Sequence, residues 1–141
     1  MAIRSWLSSL FGDSFVALRS TLTWIGCGMI VSGLILRSAA MIQASSNFSH
    51  DLRFNLAKNH QLITTGIYRL CRHPSYLGFA LFAVGAQLVL GNLVCSAGFI
   101  VVLKKFFSER VKVEEAALLR QYPKEYAEYK SVTPSGILGI K

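Results

Sequence analysis

Charge is scarce in this chain. Asp, Glu, Lys and Arg make up 16% of its 141 residues, where a soluble domain carries about 25%. Acidic residues are the scarcest, 7 Asp plus Glu against 15 Lys plus Arg, for a net charge of +8. Cysteine is limited to Cys27, Cys71 and Cys95, an odd number with no CxxC pair. That excludes a disulfide scaffold and points to reduced thiols facing cytosol or lipid. Internal repeats and low-complexity tracts are also missing. Apolar residues, by contrast, are abundant at 52%, with a mean hydropathy of +0.44, which excludes intrinsic disorder. The length is that of one domain. A basic excess suits either nucleic acid or an anionic membrane surface, and the placement of the apolar residues discriminates.

The apolar residues lie in blocks. Residues 20–36 carry no charge and are bracketed by Arg19 and Arg37. This run is short for a membrane span, which needs about 20 residues, but Gly26, Gly28 and Gly33 suit close helix contact in lipid. Residues 77–103 are also uncharged, and Gly91-Asn92 in their midst is a turn signal. One helix over that block would be about 40 Å long, more than the ~30 Å hydrocarbon core. The pattern predicts instead a hairpin of two helices, 75–90 and 93–121, with its tip at 91–92.

Residues 37–73 hold Arg37, Arg53, Lys58, Arg69 and Arg72 against Asp51 alone, and 104–141 are also net basic, whereas the hairpin tip is uncharged. By the positive-inside rule both basic stretches are cytosolic and the tip is on the far side. The first fifteen residues begin like a signal peptide, but no A-x-A-type cleavage pattern follows, which favours an anchoring helix. The expected fold is an all-α integral membrane protein of about three membrane helices. It forms a single domain: an N-terminal anchor and first span over 1–36, a cytosolic loop over 37–73, a hairpin extending into the cytosol over 74–121, and an amphipathic tail over 122–141.

The loop is polar and aromatic by turns. Pro74 suits the first turn of the following helix, where its missing N–H costs nothing. His73, Ser75 and Tyr76 then stand at a helix entrance, where unpaired N–H groups and the dipole favour an anionic or polar ligand. His60, Tyr68, His73 and Tyr76 taken singly also suit an interfacial aromatic belt. No pair among His50, His60, Cys71 and His73 has the usual ligand spacing, so no metal site is expected. In the tail, Arg110 and Glu114 are four apart on one helix face, which by itself describes a surface pair, with Glu109, Lys112 and Glu115 as further partners. Tyr122, Tyr126 and Tyr129 recur at helical spacing after Pro123, as in an amphipathic helix on the membrane or on the rest of the domain.

Taken together, these pieces carry a resemblance. The run from His60 through Gly66 to Tyr68, then Arg72-His73-Pro74-Ser75-Tyr76-Leu77-Gly78, resembles the isoprenylcysteine carboxyl methyltransferase family. So do residues 36–50, the uncharged hairpin, the E-R-x-x-x-E-E run from Glu109, the paired tyrosines and Pro134-Ser135-Gly136. The short core also occurs in phospholipid methyltransferases and sterol-reductase-like membrane proteins, and the tail singles out the prenylcysteine branch.

The resemblance implies a multi-pass enzyme of the endoplasmic reticulum membrane with its active site facing the cytosol. It would move a methyl group from S-adenosylmethionine to the C-terminal carboxylate of a prenylated cysteine left by CaaX processing. It also implies cofactor contacts from Arg53, His60, Gln61, Leu62, Ile63, Tyr68, His73, Pro74, Ser75, Tyr76 and Glu114. Arg110 matches the residue that meets the substrate. Arg53 stands where the family often has Gln, so that contact differs or comes from backbone. Members of the family usually carry more membrane helices before this part, so the chain is either a short version that still builds the site or a truncated form. The alternatives left open are a phospholipid N-methyltransferase, an NADPH-dependent reductase, and an inactive membrane remnant that binds cofactor or partners. Nucleic-acid binding is disfavoured because the basic residues flank lipid spans. The sequence does not settle the oligomeric state.

Overall fold

The computed structural model describes residues 12–44 and 62–137. Among them every regular element is helical: α1 (Asp13–Ala44), a 3-10 turn (Gly66–Arg69), α2 (Pro74–Leu90), α3 (Leu93–Gln121) and α4 (Pro123–Val132). Among the described helices only α1 is long and apolar enough to cross a membrane, and α2 is a shorter apolar helix.

α1 turns the usual arrangement of a water-soluble helix inside out. Its buried residues are the small ones, Gly26, Gly33, Ala40 and Ala44. Its large apolar side chains point away from the protein, with Trp24 75% and Ile42 78% exposed. Lipid tolerates that outward face, and small residues let helix backbones approach where no hydrophobic force drives them together. α2 supplies the matching small residues and packs antiparallel to α1. Gly26 faces Gly85 and Gly33 faces Gly78, so closely that a Cβ on Gly33 would lie 2.6 Å from the Gly78 carbonyl oxygen.

α1 runs well past the uncharged run in both directions, because both flanking arginines find partners on α2. Arg19 donates to the Val89 and Leu88 carbonyls (2.8 and 3.3 Å) and to the Thr23 hydroxyl (2.7 Å), placing a cation against the last carbonyls of α2, the negative end of its dipole. Arg37 reaches the Ser75 hydroxyl and carbonyl (3.3 and 3.4 Å) and lies over the Phe79 ring. At its far end α1 enters what the sequence predicts as loop. There Gln43 brackets the turn at Gly66, donating to the Thr65 carbonyl (2.7 Å) and accepting from the Ile67 N–H (3.0 Å).

The hairpin breaks at the predicted pair. Gly91 ends α2 in the left-handed region (φ 76°), and the Asn92 side chain caps α3 by accepting from the Cys95 N–H (2.9 Å). Beyond the uncharged stretch, α3 turns Phe107, Val111 and Glu115 inward. α4 folds back onto the domain, burying Tyr126 and Tyr129. This answers the choice left open for the tail, since its tyrosines pack on protein. The segment after α4 straps down the entrance to α2. The Arg72 and His73 N–H groups donate to the Pro134 and Ser135 carbonyls (2.9 and 3.2 Å), and the Cys71 thiol donates to the Ser135 carbonyl (3.2 Å).

Glu115 is at the centre of this junction. It is not the surface partner that its spacing suggests, because only 5% of it is exposed. Its carboxylate receives Arg72 Nε (3.1 Å), Arg72 Nη2 (3.0 Å), His73 Nε2 (3.2 Å) and Lys130 Nζ (2.6 Å). Arg72 also donates to the Lys130 and Thr133 carbonyls at the end of α4. Burial alone would raise the Glu115 carboxyl. The hydrogen bonds from His73 and Lys130 and the neighbouring Arg72 outweigh it and hold the group lowered to about 2.

Two outcomes follow from this packing. Gly33→Ala drives a methyl into the backbone of α2 and should destabilise the chain in detergent by about 1–3 kcal/mol. Gly28→Ala, with nothing within 4 Å of the new carbon, should be neutral or stabilising by up to about 1 kcal/mol, and paired denaturation curves check both. The Glu115 carboxyl lies below its unfolded value of 4.5 when folded. Its contribution, on the order of 3 kcal/mol, is therefore complete above about pH 4.5 and lost as pH falls towards 2. Melting temperature against pH should drop across that window in the wild type and flatten in Glu115→Gln.

Candidate active site

Pro74 opens α2 at its first position and His73 immediately precedes it. The first turn therefore points Tyr76 across to the cytosol-ward half of α3 predicted from the sequence, where Arg110 and Glu114 lie one turn apart. The Tyr76 hydroxyl donates to Glu114 Oε2 (2.9 Å), and the Arg110 guanidinium also reaches that hydroxyl. Arg110 lies over the Phe106 ring at 5.5 Å. Tyr76 stacks between His73 (5.7 Å) and Phe107 (4.9 Å), which fixes the plane of the phenol ring. His73, Tyr76, Arg110 and Glu114, chosen from positions far apart in the chain, thus converge on one spot.

The other expected site residues fall into three groups. Pro74 is fully buried, and the Ser75 hydroxyl accepts from Arg37, so its polar end is turned towards α1. The Tyr68 hydroxyl donates to the Ala40 carbonyl (3.2 Å). Burial, then the nearby charge of Glu114 and the neighbouring Cys71, push that phenol up to about 12, so it remains a neutral donor near Glu114. Burial likewise raises the Cys71 thiol, although a hydrogen bond from the His73 backbone and the charge of Arg72 pull the other way. Leu62 borders a second, open groove of about 740 Å³, together with Arg69, Tyr122, Glu125 and Tyr129. Of the expected site residues that the structure describes it alone lines that groove, and Ile63 follows it in the irregular segment before the 3-10 turn. Arg53, His60 and Gln61 lie outside the described residues.

Four residues at the site were not singled out for it from the sequence. Arg72 directly precedes His73 and supports it through Glu115, and Phe107 supplies the stacking face for Tyr76. The signal for Glu115 was present: residues 107, 111 and 115 repeat at a spacing of four, so a Glu occupies a stripe otherwise made of Phe and Val. A charge on an apolar stripe is buried only with partners. Lys130 is legible only after folding, since it closes the cluster from α4.

Chemically, this spot offers a guanidinium for an anion beside a carboxylate and aromatic faces for a cation or polar donor. It stands where the uncharged stretch of the hairpin gives way to charged residues. Arg110 is three residues beyond Phe107 on the same helix, and Lys104 and Lys105 directly follow the last uncharged residue, Leu103.

Comparison with known proteins identifies the family. A sequence model described as the isoprenylcysteine carboxyl methyltransferase family matches residues 24–120. The mouse protein-S-isoprenylcysteine O-methyltransferase is 36% identical over 143 residues, covering 99% of this chain and 50% of the relative. The Schizosaccharomyces pombe protein of the same name is 46% identical over 110 residues, covering 78% of this chain and 47% of the relative. The solved structure of a eukaryotic intramembrane Ras methyltransferase superposes with a TM-score of 0.84 at 32% identity, covering 99% of this chain and 51% of that one. The chain thus spans about half the length of the curated relatives it matches. On the match across its span, cleft and hairpin, the chain belongs to the isoprenylcysteine carboxyl methyltransferase family.

Proposed function

We propose that this chain forms one catalytic unit that esterifies the C-terminal carboxylate of a prenylated cysteine with a methyl group from S-adenosylmethionine. We place it in the endoplasmic reticulum membrane with the cleft on the cytosolic side. The observation that carries the reading is the convergence of Arg110, Glu114 and Tyr76 at the boundary of the uncharged stretch. Family membership supports it, as do the names of the relatives. The cleft end of the helices carries Arg37, Arg69, Arg72, Lys104, Lys105 and Arg110, against Arg19 alone among the described residues at the hairpin-tip end, and this imbalance supports the orientation.

The donor set suits the cofactor. Glu114 and His73 offer acceptors for an ammonium or ribose hydroxyls. When bound, S-adenosylmethionine supplies a methyl carbon made electrophilic by a positively charged sulfur. The protein's part is then positioning. A C-terminal carboxylate is already ionised at neutral pH, so no side chain has to remove a proton. Arg110 holds that carboxylate through paired N–H···O bonds and aims one oxygen along the line of attack. Opposite charges meet and disappear as the bond forms, so water, which stabilises the separated ions, opposes the reaction. The aromatic wall of Tyr76, Phe106 and Phe107 excludes water. Lipid-facing apolar side chains such as Phe99 and Val102 give a prenyl chain a path from the bilayer.

The phospholipid N-methyltransferase reading has less support, since an amine acceptor has no use for a guanidinium at this position. In membranes containing only this chain, N-acetyl-S-farnesylcysteine should accept label from S-adenosylmethionine. Arg110→Ala should lower kcat/KM for that acceptor by about 100-fold, the loss usual for a group that holds the reacting atoms. S-adenosylhomocysteine affinity should stay within about threefold. Equal turnover by Arg110→Ala, or label entering phospholipid in place of the acceptor, overturns the assignment.

A further inference from the structure

His73 lies between two adjacent carboxylates of α3 that differ sharply in setting. The Glu114 side chain is 39% exposed and that of Glu115 6%. The inner edge of the imidazole, Nε2, is 3.2 Å from Glu115 Oε1. Glu115 is ionised, and an ionised carboxylate has acceptor sites only. The contact therefore requires a hydrogen on Nε2. The carboxylate cannot swing away, because the same Oε1 receives Arg72 (3.1 Å from Nε) and Oε2 receives Lys130 (2.6 Å). Arg72 is fixed in turn by the carbonyls at the end of α4.

The outer edge of the ring is different. His73 Nδ1 is 3.8 Å from Glu114 Oε2, beyond the 2.7–3.2 Å of an N–H···O bond. That oxygen already accepts from the Tyr76 hydroxyl, and the stack of His73 on Tyr76 prevents the ring from tilting closer. Across a gap of this width Nδ1 makes no hydrogen bond to Glu114, and a ring carrying its hydrogen on Nε2 would present the Nδ1 lone pair there. Two acceptors 3.8 Å apart are the right distance to share one donor group that reaches each at about 2.8 Å.

We propose that Glu115 is a positioning residue that locks His73 as its Nε2–H tautomer, so that Nδ1 and Glu114 Oε2 together receive the protonated amine of the methyl donor. The identity of that amine rests on the proposed function, whereas the tautomer does not. The binding energy is therefore directed at the donor molecule, and the acceptor's carboxylate is left to Arg110. Glu115 acts through His73 and touches neither substrate.

The test uses the full chain in lipid nanodiscs with ¹⁵N-labelled histidine, and His73 is assigned by the signals lost in His73→Asn. At neutral pH the wild type should show Nε2 protonated and Nδ1 unprotonated. Glu115→Gln should mix the two tautomers, weaken S-adenosylhomocysteine binding about tenfold, as for one lost hydrogen bond, and raise KM for the methyl donor. Its kcat at saturating donor should change by less than about twofold. Lys130→Met, which removes only the Oε2 contact, should keep the wild-type tautomer. A wild-type His73 protonated on Nδ1 overturns the proposal whether or not Glu115→Gln folds. So does a folded Glu115→Gln with the wild-type tautomer and affinity. Absence of methyl transfer to farnesylcysteine would refute the assigned acceptor and leave both of these readouts standing.

Discussion

A carboxylate in the interior of a protein is costly unless every lone pair is used and a counter-charge is close. Glu115 accepts three hydrogen bonds and has its counter-charges beside it, with donors from two separate places: Arg72 and His73 ahead of α2, and Lys130 on α4. Because none of these is a neighbour in sequence, the ion cluster can be satisfied only when the loop, α3 and the tail have all come together. The geometry of the cleft depends on that condition. Arg72 sets the path of the chain into α2, His73 lies against Glu115, Tyr76 stacks on His73, and Glu114 and Arg110 meet Tyr76 from the other side. Packing in the membrane half, through Gly26, Gly33, Gly78 and Gly85, fixes how α1 and α2 approach. The polar half fixes what they present.

The two halves use opposite physics across a short distance. In the membrane half, close contact of bare backbone replaces the hydrophobic effect, since lipid gives large side chains no reason to turn inward. In the junction, charges and hydrogen bonds hold elements together in a setting dry enough for them to be strong. The cleft lies at the boundary. A reaction that brings a cation and an anion together benefits from such a place, where lipid on one side and a rigid polar frame on the other both limit water.

Much of this was legible in the sequence. The uncharged blocks, the Gly91-Asn92 break, Pro74 at a helix start and the one-turn spacing of Arg110 and Glu114 are local signals, and each is found where its residues place it. α1 ran further than its uncharged run because the partners of Arg19 and Arg37 lie on α2, and no local pattern shows a charge satisfied by a distant carbonyl. Glu115 was misread for a related reason. A Glu four residues from Val111 looks like any exposed helix carboxylate until Arg72 and Lys130, more than forty and fifteen positions away by chain order, close around it. The Ser75 and Tyr68 hydroxyls are turned to α1. The fold positions them beside the cleft, and the motif alone cannot say which way they face.

The strap formed by Pro134 and Ser135 sets an order of events. The amides of Arg72 and His73 find their acceptors only in residues some sixty positions downstream. While a ribosome is still making the intervening helices, the mouth of α2 has no ceiling and the histidine ring has no fixed seat. The polar junction is therefore completed late, after the greasy segments have been made, and a half-made chain lacks the frame that seats the histidine.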